Sequence, residues 1–320
     1  MAAFSDRTTF DPAPPAAPVL VLGATGTTGS RLVGELRRTG AVVRAASRTP
    51  RPTADPGVVP VRFSWEKRDT WTPALTGAGA VYVLPPLLSV APEEPVLAFV
   101  AAARALGVAR VVVLTGSPIA AGDPGLGRVH EALAAGPSGW TVLRPTWFAQ
   151  NLVDPAHHLG AAVAAGRDLV TATGSGRVAF VDAADIAAVA ARALLDERPH
   201  DTDHLITGPR ALAYDEVARV LSDATGLGIR HLVVAESEAA EAMARSGMAP
   251  EYAAVLAAME TAIAAGAEDR VTDTVLRTAG RPPRDLAAVV ADALGTDPPT
   301  VAPAAAEAVG ANAPAGTVAR

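Results

Sequence analysis

The sequence predicts an α/β fold: a doubly wound parallel sheet with a smaller, mainly helical cap on its C-terminal side. Three observations carry this. Short apolar runs alternate with helical periodicity from about residue 19 to residue 208. The first run, Val19–Leu22, passes directly into Gly23-x-x-Gly26-x-x-Gly29 and then into a helix. From about Tyr214 onward the pattern becomes almost wholly helical.

The elements follow in order. Val19–Leu22 is a strand. Gly29 to Arg38 is a helix with Leu32, Val33 and Leu36 on one face and Gly40 just past its end. Ala41–Ala46, Val58–Phe63, Ala80–Leu84 and Arg110–Leu114 are strands two to five. The helix in EEPVLAFVAAARALG stops near Gly107. Thr141–Leu143 is a sixth strand and His204–Thr207 another. Between them DAADIAAVAARALLD is a helix whose start is marked by Asp182 and Asp185. Short, mostly apolar strands alternating with helices mean a parallel sheet covered on both faces. Right-handed crossovers then give the doubly wound Rossmann arrangement. The helical segments YDEVARVLSDATG, EYAAVLAAMETAIAAG and PRDLAAVVADALG form the cap. The expected organisation is a flexible tail at 1–17 and a nucleotide-binding sheet domain at 18–155, completed by about 168–208. A cap at 209–296, joined by 156–167, and a second Pro/Ala-rich tail at 297–320 complete it.

Composition narrows the function. Half of the 320 residues are hydrophobic, enough for a sizeable core. The formal charge of −6 and a pI of about 5.5 argue against nucleic acid as partner, because phosphate backbones call for a basic face. There is no cysteine, so disulfides, thiolate metal sites and cysteine nucleophiles are excluded. No stretch reads as a membrane span, and the first residues lack the basic start and apolar block of a secretory signal. The expectation is a cytoplasmic monomer or homodimer acting on a small molecule. Lys67 is the sole lysine, so any mechanism requiring one must use it.

The glycine loop sits between strand and helix, where a dinucleotide site places it. Gly23 permits the sharp turn, Gly26 lets backbone N–H groups approach a pyrophosphate, and Gly29 lets helix and strand pack closely. The alternative is a tight turn with no ligand. An NAD site carries Asp or Glu about 20 residues beyond the loop. Here the segment is RAASRTPR, residues 44–51, without an acid. Ser47 and Arg48 stand where a 2′-phosphate would lie, with Arg44 next in line, so NADP(H) is favoured over NAD(H). The competing view of Arg48 is a solvated surface arginine.

The stretch VLGATGTTGSRLVGELRRTGAVVRAASR resembles the NmrA-like branch of the atypical short-chain dehydrogenases. So do WTVLRPTWFAQN, GSGRVAFVDAADIAAVAARAL, ITGPRALAYDEVARVLSDATG and, more weakly, GRPPRDL, together covering about Val19 to Leu294. Within that branch the pattern is similar to ergot-alkaloid reductases of the agroclavine/festuclavine dehydrogenase type. The resemblance implies that Gly23, Thr25, Gly26, Thr27, Thr28 and Gly29 wrap the pyrophosphate, with Ser47 and Arg48 at the adenosine phosphate. It implies that Leu84, Pro85 and Pro86 border the nicotinamide-side ribose and that Thr115, Gly116 and Ser117 lie beneath the nicotinamide. Pro145, Thr146, Trp147, Phe148 and Asn151 are to line the ring and substrate pocket. In one respect the chain departs from the branch: the third strand ends Phe63-Ser64-Trp65 where relatives often have Phe-Asp-Trp, which removes an expected polar contact to adenine.

Ordinary short-chain dehydrogenases move a proton with Tyr-x-x-x-Lys. None of Tyr82, Tyr214 and Tyr252 has a lysine four residues on. The helix expected to carry the pair reads GRVHEALAAG, making His130 a candidate proton donor and Ser117 a candidate for orienting substrate. Each also has a structural reading, as a helix-face histidine and a turn hydroxyl. Asp123 lies in a Gly/Pro-rich stretch that suits a lid or an ordinary loop. His157-His158 lacks further ligands and is not read as a metal site. Asp182 and Asp185 are read as helix-capping acids. A site without a strong proton donor can still reduce C=N⁺, a quinone or a conjugated carbonyl. The first reading is therefore an NADPH-dependent reductase of such a small molecule, in specialised metabolism. The alternatives are a non-catalytic NADP(H)-sensing regulator and a fold reused for non-redox cyclisation or isomerisation.

Overall fold

Seven parallel strands form the centre of the computed structural model, which describes residues 17–296 apart from residue 88. In chain order the strands are β1 (Val19–Leu22), β2 (Val43–Ser47), β3 (Val58–Arg62), β4 (Ala80–Val83), β5 (Arg110–Leu114) and β6 (Trp140–Pro145). They continue with β7 (Leu169–Thr171), β8 (Arg177–Val178), β9 (Thr202–Ile206), β10 (Leu212–Ala213) and β11 (His231–Val233). The helices are α1 (Thr27–Arg38), α2 (Trp71–Leu75), α3 (Glu93–Ala105), α4 (Leu126–Ala134), α5 (His158–Ala164) and α6 (Ala183–Leu195). In the C-terminal part they are α7 (Tyr214–Thr225), α8 (Glu236–Arg245), α9 (Pro250–Ala264), α10 (Thr274–Ala279) and α11 (Leu286–Leu294).

The main sheet runs β3-β2-β1-β4-β5-β6-β9, every pairing parallel. The order reverses between β1 and β4. That is the switch point at which a doubly wound sheet opens a crevice at its carboxyl edge. Side chains alternate across the pleat. Val19 and Val21 of β1 join a core with Leu32 and Leu36 of α1 and Ile186 and Val189 of α6. Leu20 and Leu22 join the opposite core with Leu75, Phe99 and Val129. All four β1 side chains are buried, which is why the strand reads as an unbroken apolar run.

The predicted doubly wound fold with a C-terminal helical region is the one observed, with shifts at element ends. Helix α1 begins at Thr27, two residues before the predicted start. β2 begins at Val43 instead of Ala41, because Ala41 N–H still bonds the Leu36 carbonyl at 3.2 Å as the chain leaves α1. The cap core gathers Leu159, Leu169, Phe180, Tyr214, Leu221 and Val290. Two small ladders lie there that periodicity does not reveal: β7 pairs parallel with β11, and β8 antiparallel with β10. The predicted tails, Ala17 aside, fall outside the described residues. No helix of the described residues is long and apolar enough to cross a membrane.

Candidate nucleotide-binding site

The β1–α1 turn is built by two glycines that admit no substitute. Gly23 has φ +65°, and a Cβ there would fall 2.4 Å from Cδ2 of Leu84. A Cβ on Gly29 would lie 2.1 Å from the Gly23 carbonyl oxygen, so only hydrogen lets α1 pack this closely on the end of β1. Gly26 is the N-cap of α1; no side chain caps the helix and its first turn carries no acid. Its first N–H groups and the positive end of the helix dipole are therefore available to an anion.

A cleft of about 310 Å³ opens beside this turn. The turn contributes Gly23, Thr25 and Gly26, and the end of β2 contributes Ser47 and Arg48. Phe63, Ser64, Trp65 and Glu66 come from the end of β3, and Leu84, Pro85 and Pro86 from the end of β4. A second depression of about 360 Å³ is lined by Thr25, Ser47, Arg48, Thr49 and Arg51. Arg48 and Arg51 make no hydrogen bond or ion pair among the described residues. Two guanidinium groups therefore stand at one end of a cleft whose other wall is the β1–α1 turn. Trp65 is fixed as a wall by donating its indole N–H to the Leu84 carbonyl at 3.2 Å, and it sits edge-on to Phe63 with ring centres 5.2 Å apart.

Ser64, the departure at the end of β3, donates its hydroxyl to Glu66. That bond, aided by the charge of Arg48, holds the Glu66 carboxyl below the usual range. An acid missing from RAASRTPR thus enters the cleft from the next strand. Glu66 and Arg51 are lining residues that motif reasoning did not single out. The available signal was their position within three residues of the predicted ends of β3 and of the RAASR segment.

Several predicted residues are placed elsewhere. Arg44 donates to the carbonyls of Ala74 and Pro73, at 2.9 and 2.6 Å, so its guanidinium ties β2 to α2 and stays out of the cleft. The Thr28 side chain faces the core and accepts the Tyr82 hydroxyl at 3.0 Å, which leaves only its backbone for a ligand. Thr27 lines a separate cavity between α1, Gln150 and α11. Thr115 donates both backbone N–H and hydroxyl to the Leu143 carbonyl, and Ser117 N–H bonds the Pro145 carbonyl at 2.8 Å. Thr115, Gly116, Ser117 and Pro145 therefore fold together where β5 and β6 end.

Neither candidate catalytic residue lines the cleft. The Ser117 hydroxyl is buried and donates to the Glu268 carboxylate, 2.7 and 2.8 Å from its two oxygens; Glu268 comes from the loop after α9. His130 is buried on α4 with its ring 5.9 Å from that of Trp140. Burial holds its pKa below the usual histidine range, so at neutral pH it is an uncharged packing group and a poor proton donor. Trp147 packs against the cap core and Phe148 against the α1–α6 core. Asn151 lies in the short 3₁₀ turn Ala149–Leu152 with its backbone N–H on the Phe148 carbonyl. These three wall residues line neither of the two depressions described above.

The capping reading holds for Asp182, while Asp185 caps no N–H of α6 among the described residues and is held by partners far along the chain. Asp182 accepts Ala184 N–H at 2.9 Å, the Gln150 amide at 2.8 Å and Arg284 at 2.8 Å. Asp185 meets Arg281 and the Arg284 backbone N–H. The late GRPPRDL stretch thus clamps the start of α6.

The fold and the cleft define a dinucleotide-binding protein of the doubly wound class. Residues 23–197 match the family model described as NAD(P)H-binding. The chain is 40% identical to the oxidoreductase YesF of Bacillus subtilis over 84% of its own length and 92% of that protein's. It is 36% identical to festuclavine synthase II of Penicillium roqueforti, over 83% and 94% respectively. An NADPH-dependent quinone oxidoreductase of Escherichia coli, solved with NADPH, superposes with a TM-score of 0.73 at 22% identity, covering 86% of this chain and 99% of that one. The chain belongs to the NAD(P)H-binding family and is an NAD(P)H-dependent oxidoreductase within it.

Proposed function

We propose that the chain takes NADPH in preference to NADH and reduces a small molecule that is already electron-poor: an imine or iminium ion, a quinone or a conjugated carbonyl, in specialised metabolism. The observation that carries this is a nucleotide cleft with arginines at one end and no phenol in its walls. Tyr82 is buried beneath α1, and Tyr214 is buried in the cap. Tyr252 lies on α9. Burial pushes all three phenols up, away from proton transfer near neutral pH.

When bound, reduced nicotinamide supplies a hydride. The chain's own residues do the rest. The Gly23–Gly29 turn and the α1 N-terminus hold the pyrophosphate, Ser47, Arg48 and Arg51 take the 2′-phosphate, and Phe63 and Trp65 flank the adenine. An iminium carbon carries its own activation, so its reduction asks no proton of the protein, and a reduced quinone takes protons from water. A relative named festuclavine synthase, matched over nearly its whole length, supports a small-molecule acceptor.

The test follows NADPH oxidation by absorbance against a panel of cyclic iminium ions, quinones and enones, with NADH in parallel. Turnover on at least one acceptor, faster with NADPH, is the expected result. Tight NADPH binding with no turnover on any of them would replace this reading with that of a sensor of the coenzyme balance.

A further inference from the structure

The cap contains a cavity of about 550 Å³ that shares no lining residue with the nucleotide cleft. It lies between α5 and α8, over one face of the β7–β11 ladder. Along that ladder the pleat alternates. Val170 and Leu232 face the cavity, whereas their neighbours Thr171 and His231 point the other way and bond each other at 2.8 Å. With Leu159 and Met243 they give the cavity an apolar lining, and Leu232 is 42% exposed there.

Its polar groups are unevenly satisfied. Asp168 is bound by Arg230, with the guanidinium 2.7 Å away and the Arg230 backbone N–H also donating. Arg167, beside it on the cavity wall, has no ion-pair partner among the described residues. The cavity therefore carries one uncompensated positive charge. His158 also lines it, and both ring nitrogens are buried without a hydrogen-bond partner. Burial keeps this ring uncharged, and with both nitrogens closed to solvent it adds apolar wall to the cavity.

We infer that this cavity is a second small-molecule site, for a compact apolar body bearing one acidic group. The acid meets Arg167, and the body lies on Val170, Leu232 and Met243. The volume falls within the range of small-ligand pockets.

Anilinonaphthalene sulfonate, an aromatic anion of this kind, serves as the probe, titrated by fluorescence into protein saturated with NADPH so that the nucleotide cleft is closed to it. Saturable binding at one site per chain is expected. Arg167→Gln, an exposed substitution that leaves the fold alone, should weaken it about tenfold, the loss of one charge-assisted contact. Ala242→Trp, on the α8 wall, should abolish it by filling the space while NADPH binding persists. Naphthoate should displace the probe, and naphthalene methanol, which lacks the acid, should do so far less well. Absence of NADPH-resistant binding, or binding indifferent to Arg167→Gln, overturns the inference. Neither outcome touches the assignment of the nucleotide cleft, which is read from NADPH affinity itself.

Discussion

At the scale of single residues, coenzyme choice rests on Arg48. It lines both depressions of the nucleotide site and makes no side-chain hydrogen bond or ion pair among the described residues. A guanidinium on a phosphate is a charge-assisted contact worth roughly 1.5–3 kcal/mol, about ten- to a hundredfold in affinity. Arg48→Ala should raise the NADPH dissociation constant by about that factor and leave that for NADH nearly unchanged, as read by quenching of Trp65 fluorescence. Equal losses for both coenzymes would place the 2′-phosphate elsewhere. The same substitution at Arg44 should do little to either affinity, since that side chain is engaged by α2 carbonyls. Both arginines sit in one short segment, and strand geometry separates them. Arg44 lies inside β2 on the face that packs on α2, whereas Arg48 follows the last residue of the strand.

Among the elements, α6 shows how a capping motif depends on distant chain. Asp182 is 1% exposed, and Arg284 is the only cation bonded to it among the described residues. Arg284→Ala should cost about 2 kcal/mol, a fall in Tm of about 3 °C for a chain of this size. Adding Asp182→Asn should recover part of that loss, because the remaining Ala184 and Gln150 contacts suit a neutral side chain. Full additivity of the two substitutions would show that the pair is not coupled. This pair also marks the limit of sequence reading. The central strands β1 and β4 were legible because burial on both faces makes them continuously apolar, and α1 because its buried stripe repeats at helical spacing. The ladders β7–β11 and β8–β10 were not, since two or three residues that include Thr171, Arg177 and His231 carry no period. The glycine turn, Ser47 and Arg48 were legible as a contiguous motif. Glu66 and the partners of Ser117 and Asp182 were not, because they meet their sites only through the fold.

A second element-scale prediction concerns α9. Glu260 is fully buried on it, accepts Ala172 N–H at 2.8 Å, and leaves its other oxygen without a partner. Burial pushes its pKa up to about 7, from an ordinary 4.5. The unfolded chain therefore releases this proton at lower pH than the folded one. Between about pH 4.5 and 7 the folded state binds more protons, so stability falls as pH rises through that window and levels off above it. The full effect is roughly 3 kcal/mol. Glu260→Gln should flatten this part of the stability profile, and its advantage over the parent in thermal unfolding should grow from pH 4.5 to 7. A constant difference across the window would mean that Glu260 ionises normally.

For the molecule as a whole, the question is how the cap is held over the sheet. Glu268, 2% exposed in the loop after α9, accepts the Ser117 hydroxyl at the end of β5, and Arg270 from the same loop donates to the Ser117 carbonyl at 3.0 Å. The Ser117 carbonyl also accepts Arg144 of β6 at 2.8 Å. Thr272 adds a hydroxyl bond to the Leu205 carbonyl of β9 at 2.8 Å. One loop of the cap thus bonds the end of β5 and β9, while Arg144 of β6 shares the same Ser117 carbonyl. Without its hydroxyl donor, Glu268 would keep only Arg270, 3.5 Å away. Ser117→Ala should therefore lower stability by about 1–3 kcal/mol, the penalty of a buried acceptor left short of a partner. Adding Glu268→Gln should return part of this, since a neutral amide is less costly to leave under-bonded. Coenzyme affinity should hold in both variants, because Ser117 does not line the nucleotide cleft. A Ser117→Ala protein that melts like its parent yet loses turnover would reverse the assignment. The hydroxyl would then serve the reacting groups directly, and its bond to Glu268 would have to open before substrate is reduced.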